Sequence, residues 1–145
     1  MRVFLDTNVL LDVLDAYRPF HVDSTRIFKA VESQPMELVL TGLSLVNTEY
    51  ILRRQGVPKQ KLRAFLATLC SFCTTASTDL PQLEGAISAD WHDFEDAVQY
   101  QAALTYGRVQ VIVTNDVPGF KESRIPVMTP GEFALKYIDA LEGRP

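Results

Sequence analysis

Asp6, Glu49, Asp96 and Asp116 lie far apart in a 145-residue chain, each at the edge of a predicted strand or helix. If they converge, they form a carboxylate cluster. Two carboxylates about 5 Å apart repel by roughly 3 kcal/mol at an effective dielectric near 20, so a site built from four of them either binds cations or takes up protons. Oxygen-only donors favour Mg²⁺ or Mn²⁺ over zinc. The chemistry that suits such a site is cleavage of phosphodiester bonds.

The elements that must position these acids can be read from hydropathy. Val3, Phe4 and Leu5 form an apolar run that stops at Asp6, the pattern of a strand buried on both faces. Asp6, Thr7 and Asn8 can cap a helix carrying Val9, Leu10, Leu11, Val13 and Leu14. Pro19 ends it, and a second helix is predicted from about His21 to Ser33. Residues 37–41 read as a strand, Ser44 opens a third helix ending at Gly56, and a fourth runs from about Lys59 to Leu69. Phe72 to Ala76 is a weaker strand, followed by a short helix over 80–88. Asp93 is the predicted N-cap of a helix stopping at Gly107. Residues 109–114 give the clearest buried strand and 125–128 the last. Thr129, Pro130 and Glu132 then start an amphipathic helix through Ala134, Tyr137, Ile138 and Leu141.

Strands separated by one or two helices imply a three-layer α/β/α domain with a mainly parallel five-stranded sheet, covering residues 1–145 as one unit. Ligands bind such sheets beyond the carboxyl ends of the strands, at the switch point. Asp6 ends the first strand and Asp116 follows the fourth. If these strands are neighbours, both carboxylates overhang one crevice.

A net charge of −4 argues on its own against a nucleic-acid partner. Its distribution changes that argument. From Tyr50 to Thr78 there is no Asp or Glu, while Arg53, Arg54, Lys59, Lys61 and Arg63 fall close together. The ordinary reading is a solvated face of two helices; the alternative is a track for an RNA backbone. No apolar run approaches the roughly 20 residues of a membrane span, and the first residues lack the apolar core of a signal peptide, so a cytoplasmic protein is expected. Cys70 and Cys73 have no second Cys or His pair to complete tetrahedral zinc, and are read as buried thiols.

Four segments now carry a family resemblance: Asp6-Thr7-Asn8-Val9-Leu10, Ser44 to Glu49, Asp93-Phe94-Glu95-Asp96-Ala97, and Ile112-Val113-Thr114-Asn115-Asp116 running on to Phe120. In that order the chain resembles the PIN-domain proteins, Mg²⁺- or Mn²⁺-dependent ribonucleases that include VapC-type toxins. The resemblance implies that Asp6, Asp96 and Asp116 are the central metal-binding acids and Glu49 the fourth. Thr114, with Asn8 and Ser44, would orient them from behind. It also implies an RNA substrate, and an antitoxin and a second copy of the chain as candidate partners. Related sequences often carry an Asp just before the Phe, where this chain has Gly119, and an Asn where it has Asp116.

Each acid also has a bland reading. Asp6 can be an N-cap, Asp96 part of a cap begun by Asp93, Glu49 a surface acid and Asp116 a turn residue. Asp93 and Glu95 are read as cap and surface acid, and His21 and His92 as bystanders. Two other functions compete with the ribonuclease: a catalytically weak PIN-like module binding RNA or an antitoxin, and a phosphoryl-transfer domain of the haloacid-dehalogenase kind. The second needs Asp-x-Asp where this chain has Asn8.

Overall fold

Val3 to Leu5, Leu38 to Leu40 and Val111 to Val113 are almost wholly shielded from solvent, which requires a layer of helices on each side of the strands. The computed structural model describes residues 1–140 and 143, so Leu141 of the expected last helix lies outside the described residues. Five strands, β1 (Arg2–Leu5), β2 (Glu37–Thr41), β3 (Thr74–Ala76), β4 (Val111–Val113) and β5 (Val127–Met128), form one sheet in the order β3-β2-β1-β4-β5. Every pairing is parallel.

The helices are α1 (Thr7–Leu14), α2 (His21–Ala30), α3 (Gly42–Arg54), α4 (Lys59–Phe72), α5 (Leu80–Ser88), α6 (Phe94–Tyr106) and α7 (Pro130–Phe133). The last runs on into a π-helical stretch, Ala134–Asp139. Alternation along the strands sorts them into layers. Val3, Leu5, Leu38, Leu40, Val111 and Val113 face α1, α2 and the C-terminal helix through Val9, Leu10, Ile27, Phe133 and Ile138. Phe4, Val39 and Ile112 face the other way, onto Tyr100, Ala102 and Ala103 of α6. The small residues of α6 let that helix lie close against the sheet.

Chain order reverses between β1 and β4, and this reversal sets the site. Leu5 is in register with Val113, and the Asp6 amide donates to the Val113 carbonyl at 3.0 Å. Asp6 and Thr114 therefore leave the sheet side by side.

Several boundaries differ from the sequence expectation. Thr41, rather than Ser44, caps α3: its hydroxyl accepts from the Ser44 amide, so the helix begins two residues earlier. Helix α4 continues past Leu69 to Phe72, which shortens β3. Cys70 is exposed rather than buried, and burial pushes the half-buried Cys73 thiol up to about 12, which disfavours the thiolate. Helix α6 stops at Gly107 as expected, and Gly107 and Arg108 both take positive φ (81° and 56°) to turn the chain into β4.

One carboxylate is completely enclosed. Asp12 accepts from Arg18 Nε at 2.7 Å, from the Ser24 hydroxyl at 2.9 Å, and from Asn115 Nδ2 at 3.1 and 2.9 Å. It ties α1, the loop into α2, α2 itself and the segment after β4 to a single residue. Asp12→Asn keeps the shape but weakens these charged hydrogen bonds, so a loss of about 2 kcal/mol in urea unfolding is expected. Loss of less than about 0.5 kcal/mol would remove Asp12 from the stabilising framework.

Candidate active site

Because α1 starts one residue beyond β1, Asp6 serves as its N-cap, with Oδ1 accepting from the Thr7 amide at 2.7 Å. Its other oxygen accepts from the Thr114 hydroxyl at 2.8 Å and from Asn8 Nδ2 at 2.9 Å. Both donors meet the same carboxylate oxygen. Thr114 Oγ1 also accepts from the Asp116 amide at 3.0 Å, and Asn8 Oδ1 accepts from the Asn115 amide at 3.0 Å. One hydroxyl and one carboxamide thus link the residue after β1 to the segment after β4.

Asp116 caps the 3₁₀ turn Val117–Phe120, its Oδ1 accepting from the Gly119 amide at 3.2 Å. Gly119 is not in the left-handed region, so backbone freedom is not the reason for glycine there. The reason is space. A Cβ at that position would lie 2.6 Å from Asp116 Oδ2 and 2.8 Å from Asp96 Oδ2. The two carboxylates converge on the gap that the missing side chain leaves.

Asp96 reaches this gap from the first turn of α6, which Asp93 caps, as the sequence led us to expect, by accepting from the Asp96 amide at 3.0 Å. Burial, then the charges of Asp6, Asp93, Glu95 and Asp116, push the Asp96 carboxyl up to about 7. Asp6 is pushed up to about 6, chiefly by burial, against the pull of its Thr114 and Thr7 hydrogen bonds.

Glu49 stands beside a cation of its own helix. It lies on α3 with its carboxylate 3.7 Å from Arg53, one turn further along. Glu95, on α6, does act on the group. Its Oε1 accepts from the Thr7 hydroxyl at 3.1 Å and from Asn47 Nδ2 at 3.0 Å, and its charge acts on both Asp6 and Asp96. Glu95 is therefore no mere surface acid. Sequence reasoning also missed Gln99, one turn along α6 and fully buried, which donates to the Ser44 hydroxyl at 2.6 Å and accepts from Thr41 at 3.0 Å. Ser44 supports Thr7 and Gln99 rather than touching Asp6. Of the two glutamines between Ala97 and Ala103, Gln99 lies four residues after Glu95 and so on its face of the helix, and that was the available signal.

Asp96 and Asp116 also line a crevice of about 430 Å³ with Asp93, Gly119 and Lys121. Among the described residues, no group of three or more His, Cys, Asp or Glu side chains already stands close enough to enclose an ion. The donor set nonetheless fits a hard cation such as Mg²⁺, which keeps several waters and takes only one or two carboxylates directly. Asp96 and Asp116 offer that pair, with Asp6 and Glu95 close behind.

The cationic residues lie on α3 and α4. Arg54 stacks over Tyr50, 5.5 Å from the ring centre, and donates to its hydroxyl at 2.8 Å. Lys59, Lys61 and Arg63 are exposed in the first turns of α4, with no acid in that first turn. Cations there oppose the helix dipole, so helix stability does not account for them.

Residues 2–118 match the family model described as PIN domain. The chain is 26% identical over 141 residues to a protein of Aquifex aeolicus (strain VF5) named Ribonuclease VapC1, covering 94% of this chain and 95% of that one. Among solved structures, it resembles Mycobacterium tuberculosis VapC20, described as a sarcin-ricin loop cleaving toxin, with TM-score 0.62 and 20% identity over 76% of this chain and 86% of that one. It also resembles VapBC2 from Rickettsia felis bound to a DNA fragment from their promoter, with TM-score 0.64 and 11% identity over 89% and 98% of the respective chains.

The raised carboxyls give the fold a pH dependence of known sign. Asp6 and Asp96 bind protons more tightly folded than unfolded, so their contribution is fullest below about pH 4 and is lost as pH rises through about 6 to 7. Without divalent cations, the melting temperature should fall between pH 5 and 8, and Asp96→Asn should flatten that fall. Calorimetry at several pH values checks it; a wild-type profile rising across this window would contradict the crowding of these acids.

Proposed function

Because the chain belongs to the PIN-domain family, we propose that it is a Mg²⁺- or Mn²⁺-dependent ribonuclease that hydrolyses RNA phosphodiester bonds and acts as the toxin of a toxin-antitoxin pair. The observation that carries this reading is the convergence of Asp96 and Asp116 on the space at Gly119, beside the buried Asp6. Four mutually repelling acids lower stability unless a cation neutralises them, and a scaffold with no catalytic use for them gains nothing by holding them together.

In this reading, Asp96 and Asp116 hold a divalent ion directly, with Asp6 behind them and Glu95 as the fourth acid in place of Glu49. When bound, the ion supplies an activated water and neutralises charge on the phosphate. Thr114 and Asn8 fix the orientation of Asp6, and Asn47 and Thr7 fix that of Glu95. Arg53, Arg54, Lys59, Lys61 and Arg63 guide the RNA backbone towards the acids. The antitoxin belongs to the same reading, on the strength of the likeness to VapC-named proteins.

Asp6→Asn and Asp96→Asn should each reduce Mg²⁺-dependent RNA cleavage by about 100-fold or more, and Thr114→Val by about 10- to 100-fold. Asp116→Asn should lose activity at limiting Mg²⁺ and recover part of it in excess Mn²⁺. The 2.6 and 2.8 Å approaches imply that Gly119→Asp displaces the acids and lowers the rate. Replacing two of the five cations by Ala should flatten the salt dependence of RNA binding by about 0.7 per lost phosphate contact. Full activity of the Asp96→Asn protein would end the ribonuclease assignment at this site.

A further inference from the structure

The crevice of about 430 Å³ beside Asp96 and Asp116 is charged almost wholly in one sense. Asp90, Asp93 and Glu122 line it together with those two, and Lys121 is the one lysine or arginine among the lining residues. A divalent ion offsets only part of that charge. The remainder repels a phosphodiester, because a cleft lined by one sign of charge concentrates its field. The cations of α3 and α4 are not among the residues of this wall, so at the point of chemistry the charge of the substrate has to be met from within the crevice.

Lys121 is placed to meet it. It follows Phe120, which is 1% exposed and anchors the 3₁₀ turn Val117–Phe120 among the side chains that pack on α6. The Lys121 amide donates to the Pro118 carbonyl at 3.3 Å, and the Ser123 amide donates to the Phe120 carbonyl at 2.9 Å, so the backbone is held on both sides. The same turn begins at Asp116, whose carboxylate caps it. An acid of the site and a cation thus ride on one fixed piece of chain.

Despite the acids that share its crevice, the exposed Lys121 joins no ion pair among the described residues. A 3₁₀ turn of four residues has too small a dipole to account for a cation at its end. Trp91, on the loop before α6, lines the same crevice, with its ring stacked on Tyr100 at 4.8 Å between centres and perpendicular to Phe120 at 5.6 Å. It is the only tryptophan of the chain, so its fluorescence reports on what enters there.

Resting on the ribonuclease reading above, we propose that Lys121 is a substrate-binding residue, whose ammonium holds a non-bridging oxygen of the RNA phosphodiester in the crevice beside Asp96 and Asp116. The cations of α3 and α4 then serve the approach of the strand, and Lys121 serves the phosphate at the acids.

The test uses the full chain with Ca²⁺ in place of Mg²⁺, which takes the same oxygen donors in a looser geometry. The probes are uridylyl-(3′→5′)-uridine, which has a single phosphodiester, and its methylphosphonate analogue, in which that linkage is uncharged. Binding is followed by the fluorescence of Trp91. Wild type should bind the charged dinucleotide more tightly than the neutral one. Lys121→Ala should weaken the charged one about tenfold and leave the neutral one almost unchanged, because a hydrogen bond to a charged group is lost only in the first case. Lys121→Arg should keep most of the difference, and Lys29→Ala, which removes an exposed cation of α2, should behave as wild type. Equal weakening of both dinucleotides, no weakening of either, or no change in Trp91 fluorescence on adding them would overturn the proposal. In Mg²⁺, Lys121→Ala should raise the KM of RNA cleavage about tenfold and lower kcat less. An unchanged kcat/KM would overturn the role of Lys121 and leave the ribonuclease standing. Absence of any cleavage by wild type, with Lys121-dependent binding of the charged dinucleotide intact, would do the reverse.

Discussion

Thr114 and Asp6 leave adjacent parallel strands in register, and the short bond between them is the contact on which the rest of the site depends. It fixes a carboxylate where neither solvent nor rotation can relieve its charge. The same hydroxyl accepts from the Asp116 amide, so the position of one acid is transmitted to the backbone of the next. A single hydrogen-bonding group thereby turns the register of β1 and β4 into the spacing of two acids. The other two acids come from α6, which is held to α1 and α3 by Gln99, Ser44 and Thr41.

These polar contacts are buried, and in a low dielectric each depends on its neighbours being satisfied. Asp12 extends the same logic outward by enclosing a charge among Arg18, Ser24 and Asn115. Residues that hold the acids are thus held by residues that do not touch them. The sheet contributes rigidity, and the polar layer at its carboxyl end converts rigidity into aim.

The fold was legible in the sequence where hydropathy had one meaning. The uninterrupted apolar runs at Val3 to Leu5 and Val111 to Val113 could only be central strands, and placing them side by side already brought Asp6 near Asp116. What stayed hidden was rotational. That Glu95 reaches Thr7 and Asn47 depends on how α3 and α6 roll against their neighbours, and neither helix has an apolar stripe sharp enough to fix that roll. Asn47 and Gln99 decide it, through hydrogen bonds between elements that no local pattern announces. Thr41 escaped notice as a cap because it is also the last residue of β2.

The gap at Gly119 bears on how such a site can change over generations. Asp116 Oδ2 and Asp96 Oδ2 already fill the place where a side chain at 119 would go. An acid at 119 and an acid at 116 therefore compete for one volume, and moving the charge from one position to the other passes through a chain with either both or neither. The first is overcrowded and the second leaves one carboxylate fewer at the crevice. The order of substitutions is thus constrained by sterics as well as by chemistry, and lineages that settled on either arrangement should exchange single residues at these two positions poorly while tolerating exchange of the whole turn.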